Sequence, residues 1–164
     1  MNHHTIDIQI EEPYQSATDA KTLRETAAQS LAHQQVDAPT ELVVVVTGDE
    51  TLNDLNRRHR GVDAPTDVLA FPHQTESPSP HPSAFVNAPG FPRYLGDVVI
   101  SLPRARAQAE EAENTLQAEL QLLVVHGVLH LLGYDDQTGH ERARMWGAQK
   151  AVLDTMGVDV NLPD

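Results

Sequence analysis

The chain of 164 residues contains no cysteine, which excludes disulfides, Cys-bound zinc and thiol chemistry. No apolar run approaches the roughly 20 residues of a membrane span. The opening M-N-H-H-T-I-D-I-Q-I alternates and lacks the apolar stretch of a secretory signal, so a soluble cytoplasmic protein is expected. Cations are scarce: 11 Lys and Arg against 24 Asp and Glu give a formal net charge of −13. That balance argues against a general polyanion binder. Nearly all of the cations are Arg, the residue suited to bidentate phosphate contact, and Arg57, Arg58 and Arg60 form a tight local group. No internal repeat is visible. The length fits one domain, residues 1–164, with a core that needs no covalent staple.

Periodicity supplies the elements. Ile6, Ile8 and Ile10 alternate with Asp7 and Gln9 as a half-buried strand, stopped by Pro13. From Asp19 to Gln34 the pattern is helical, with Leu23, Ala27 and Leu31 on one stripe. Glu41–Thr47 is a β-branched run between Pro39 and Gly48, hence a buried strand. A short helix follows, Asp49 to His59, with Leu52 and Leu55 inward. Asp67–Phe71 and Leu95–Ile100 read as strands. Between them, His73 to Tyr94 is a proline-rich loop whose two histidines, His73 and His81, are expected to be solvated. Ser101 and Pro103 open a helix running into the acidic, solvated Glu110–Glu113. Asn114 or Thr115 opens the next helix. Gly139–Met156 closes the chain with Ala143, Trp146 and Leu153 inward. The order βαβαββααα predicts an α+β domain: a small mixed β-sheet of about four strands covered by about five helices.

The stretch from Glu119 to Trp146 carries the chemistry. His126 and His130 lie four apart on a helix, so their imidazoles share one face and converge on one point. Their neighbours Leu122, Leu123, Val124, Val125, Val128, Leu129 and Leu131 are apolar almost all round, the mark of a buried helix. Two polar rings there are costly unless each nitrogen finds a partner, and a metal satisfies one nitrogen on each at once. Gly133 lets the chain turn back through a left-handed conformation, bringing either Asp136 or His140 as a third ligand. The spacing H-x3-H-x2-G-x2-D resembles the metzincin metalloproteases, whose general base directly follows the first His. Here that position is Gly127, which moves no protons and so disfavours a protease.

Three ordered blocks are more specific: L-N-R-R-H-R-G-V-D-A-P-T-D-V-L-A-F-P (Leu55–Pro72), L-G-D-V-V-I-S (Leu95–Ser101) and H-G-V-L-H-L-L-G-Y-D (His126–Asp135). Together they resemble the YbeY family of bacterial endoribonucleases, which mature ribosomal RNA. The resemblance covers nearly the whole chain apart from residues 73–94. It implies metal ligation by His126 and His130, cleavage chemistry involving Arg60 and His126, and single-stranded RNA as substrate. It also implies Zn2+ as the cofactor, with small-subunit rRNA and ribosomal or assembly proteins as partners. The family's third ligand is a histidine directly after G-Y-D; here that position is Asp136, an oxygen donor that shifts preference toward harder metals. Ala70 stands where the family usually has Ser. Two other classes fit the residues: a metzincin-like metalloprotease, and a non-catalytic ribosome assembly factor with a structural metal.

Overall fold

The computed structural model describes residues 4–73 and 92–161. Strands β1 (Thr5–Ile10), β2 (Thr40–Thr47), β3 (Val68–Pro72) and β4 (Arg93–Ser101) form one sheet in the order β1-β2-β4-β3. β1 and β4 flank β2 in parallel, and β3 is antiparallel to β4. Helices α1 (Ala20–His33), α2 (Asp49–Arg60), α3 (Leu102–Ala112), α4 (Leu116–Leu131) and α5 (Gly139–Thr155) complete the expected α+β fold.

The alternation in the strands decides which helix covers which face. Leu42, Val44 and Val46 of β2 join Val98 and Ile100 of β4 in the main core, closed by Leu23, Ala27 and Leu31 of α1 and by Leu120, Val124 and Val128 of α4. Val45 and Val99, with the opposite parity, pack with Leu69 and Phe71 against Leu52 and Leu55 of α2. The sheet thus lies between α2 and the α1–α4 pair. α5 packs behind α4 through Met145, Val152 and Leu153 against Leu122, Val125 and Leu129. Asp19 caps α1, its carboxylate accepting from Lys21 N at 3.1 Å and Thr22 Oγ1 at 2.9 Å. Thr115, not Asn114, caps α4, accepting from Ala118 N at 3.0 Å.

Three details differ from the sequence expectation. Glu12–Tyr14 form a 3-10 turn around Pro13. β4 begins at Arg93, because Arg93 N donates to Pro39 O at 2.9 Å and the strand extends beside Thr40 and Glu41. Ala143 is exposed; the buried positions of α5 are Met145, Gln149, Val152 and Leu153, with Trp146 only partly covered. Leu55 faces inward as expected, half-buried against Leu52, Leu69 and Val99. His73 is solvated as expected, its ring edge-on to Tyr94 at 5.3 Å, whereas His81 lies outside the described residues.

Candidate metal centre

α4 is buried on nearly every side, and His126 and His130 emerge together near its C-terminal end. Their Nε2 atoms stand 3.1 Å apart. After Leu131 the chain turns through Gly133, whose φ of +104° is a left-handed value open chiefly to glycine. The turn returns Asp136 to the histidines, with one carboxylate oxygen 3.9 Å from each Nε2. Among the described residues, one group of three or more metal-ligating side chains closes: His126, His130 and Asp136, one ligand atom from each lying within 4.8 Å of the others. The donor set suits a transition metal. Ligand atoms around a tetrahedral zinc at usual bond lengths are about 3.3 Å apart, so small side-chain adjustments close the site. His140 is exposed at the start of α5 and is not part of the group.

The surroundings prepare the rings for ligation. Gln149 of α5, itself buried, accepts from His126 Nδ1 through its side-chain oxygen at 2.5 Å. That bond fixes the tautomer and leaves the Nε2 lone pair facing His130 and Asp136. Burial holds the His130 ring below the ordinary histidine value and the neighbouring His126 adds to it, while Asp136 and a backbone hydrogen bond to Tyr134 oppose. The net direction favours the neutral ring, the form that binds metal. Gly127 lies directly against β4: a Cβ there would meet Val98 Cγ1 at 2.4 Å. No larger residue fits between the two histidines and the sheet, so a glutamate base in the protease position is excluded by packing as well as by identity.

Arg60 reaches the same place from the other face of the sheet. It is the last residue of α2, and the segment after it is pinned by buried Asn56, whose side-chain nitrogen donates to Ala64 O at 2.9 Å. Asn56 O also accepts from Val62 N at 3.3 Å. A cleft of about 400 Å3 is lined by Arg60, Thr66, His126, His130 and Asp136. Arg57 and Arg58 are both spent on Asp54, at 2.6 and 3.2 Å, whereas Arg60 has no ion-pair partner among the described residues. The spacing of the sequence placed His126, His130 and Asp136 or His140 as candidates, the family resemblance added Arg60, and the fold brings Arg60, His126, His130 and Asp136 to one cleft. It did not point to Gln149 or Asn56; the only trace of the former is its place on the stripe of Trp146 and Leu153.

A family model for endoribonuclease YbeY matches residues 5–157. The chain belongs to the YbeY family. A YbeY from Roseiflexus sp. (strain RS-1) is 40% identical over 158 residues, spanning 96% of both chains. Another, from Chloroflexus aurantiacus (strain ATCC 29366 / DSM 635 / J-10-fl), is 43% identical over 156 residues, 94% of this chain and 97% of the relative. Both are named endoribonucleases. The solution structure of a Thermotoga maritima protein aligns over 93% of this chain and 92% of its own with a TM-score of 0.56. At 22% identity that likeness speaks for the fold alone. No helix among the described residues is long and apolar enough to cross a membrane.

Proposed function

We propose that this YbeY-family endoribonuclease cuts single-stranded RNA in the maturation and quality control of small-subunit ribosomal RNA, in the cytoplasm. Residues 1–164 act as one catalytic unit, and His126, His130 and Asp136 hold one divalent metal, zinc in the first instance. The observation that carries this reading is the single cleft shared by Arg60 and the three ligands. A metal held there supplies Lewis acidity toward a phosphate oxygen.

The chain's own residues do the rest. Arg60 offers a planar, permanently charged fork to the phosphate, fixing it by charge-assisted hydrogen bonds. Gln149 holds the His126 ring in one tautomer and one orientation. Asp136 adds a negative charge where the family has a neutral imidazole, which lowers the net charge of the loaded site and favours harder metals. Three protein ligands leave a position open, which supports a catalytic rather than a structural metal. The acidic surface favours delivery of the RNA by the ribosome or an assembly protein over capture from bulk solution.

The test is cleavage of a labelled single-stranded RNA by three identically purified proteins. The parent should cut. His130→Ala should lose both bound metal, read by elemental analysis, and cleavage. Arg60→Ala should keep its metal and lose about 100-fold or more in rate, the usual scale for removing one charge-stabilising donor. Equal cutting by His130→Ala would mean a contaminating nuclease, and normal cutting by Arg60→Ala would remove the phosphate role.

A further inference from the structure

The metal group sits on a boundary between two cavities. The cleft with Arg60 is one; the other, about 690 Å3, lies between α3, α4 and α5 and shares Asp67, His126 and Asp136 with it. Its lining differs in kind. Leu122, Leu123 and Trp146 give it an apolar and aromatic wall, and Asp67, Glu111 and Glu119 give it carboxylates, against the one cation Arg142. A phosphate is repelled by such a lining. A neutral, flat ring carrying N–H donors is not.

We propose that this second cavity receives the base of the nucleotide flanking the scissile phosphate, and that the base is guanine. The proposal rests on the ribonuclease reading above. Single-stranded RNA is read by splaying a base out, stacking it on an aromatic ring and hydrogen-bonding its Watson–Crick edge. Trp146 supplies the ring. The edge is met by carboxylates, which only accept. Guanine is the base that presents two adjacent donors, N1–H and the 2-amino group, side by side; adenine, cytosine and uracil interleave donors with acceptors.

Glu119 is placed for this pairing. It is 5% exposed yet lines the cavity. Its Oε2 accepts from Asn114 Nδ2 at 3.1 Å, and Gln108, with its amide turned to donate, bridges Glu119 Oε1 and Asp67 Oδ2 at 3.2 Å each. Each carboxylate oxygen keeps a second lone pair for a ligand. Burial, with the Asp67 charge beside it, pushes the Glu119 carboxyl up against the Asn114 bond, so further donors at the cavity's edge would favour its charged form.

Trp146 is the one tryptophan of the chain, so tryptophan fluorescence, excited selectively over tyrosine, reports on this cavity. The experiment titrates the full, metal-loaded chain with guanosine, adenosine, cytidine and uridine, and sequences cut ends from a randomised single-stranded RNA. Guanosine should quench saturably with an affinity about tenfold or more above the other three, the scale of one bidentate base contact. Cut ends should be enriched in G on one side. Glu119→Gln should lose both preferences while its melting curve stays cooperative. Asp67→Asn, whose side-chain oxygen can still accept from Val68 N, is the second variant should the first not fold. Equal quenching by all four nucleosides, or none by guanosine, overturns the proposal. A guanosine response without any cleavage leaves a guanine-binding cavity and removes the ribonuclease reading, and with it the place beside a scissile phosphate. Cleavage without a guanosine response removes the cavity's assignment alone.

Discussion

A methyl group on residue 127 would lie 2.4 Å from Val98 Cγ1 and 2.9 Å from Val98 Cγ2, and Val98 is fully buried in β4. Either side retreats only at a cost: α4 is pressed on the sheet, and Val98 is flanked by its strand neighbours. Gly127→Ala should therefore destabilise by about 1–3 kcal/mol through overpacking, read as a lowered Tm, with the ligand pair displaced from the sheet. A variant melting at the parent's temperature would show that α4 has room to shift. In the sequence Gly127 reads only as the absence of a base; its steric role depends on a strand 29 positions earlier, which no local pattern reveals. Asp136 is the opposite case. Its distance from His130 and the glycine between them are local, so the candidate group was legible before the fold, with His140 as its alternative.

Gln149 ties the metal centre to an element otherwise remote from it. α5 docks on α4 through Met145, Val152 and Leu153, and that contact carries Gln149 to the His126 ring. Replacing it by Leu keeps volume and removes the acceptor. Gln149→Leu should weaken metal binding about 10- to 100-fold, as loss of a ligand's outer hydrogen bond typically does. Competition with a chromophoric chelator measures it; unchanged affinity would mean that His126 is oriented by α4 alone. The face of α5 was misjudged at Ala143 because its apolar residues are spread round the helix, so periodicity selects no clear stripe. In α1 the stripe of Leu23, Ala27 and Leu31 is clean, and the element and its cap were readable. The extra residues of β4 were not, since they are strand only by virtue of the pairing with Thr40 and Glu41.

Over the whole molecule, charge sets how RNA is met. With a formal net charge of −13 and two of the three clustered arginines paired to Asp54, Arg60 is left as the cation of the cleft. Binding should release few counterions. The slope of log affinity against log salt for a short single strand should lie near −1, since each neutralised phosphate contributes about −0.7. Filter binding across a salt series checks this, and a slope steeper than about −3 would require a basic surface beyond the cleft. The α+β class followed from the order of elements; the meeting of Arg60 with the histidines from opposite faces of the sheet did not, because it depends on how the chain after Gly61 crosses the edge.

α4 has further meaning for how the protein opens. Its amides are enclosed by the sheet, α1, α3 and α5, so they exchange with solvent only when most of the fold has come apart. Residues 132–138 belong to no helix or strand and are at least partly exposed, so beyond the anchor at Tyr134 they should open at lower cost than α4. The two imidazoles are thus among the last groups to lose their places, and the Asp136 carboxylate is among the first. An ion held by all three would exchange by one short segment swinging away while the nitrogen pair stays aligned to receive the next.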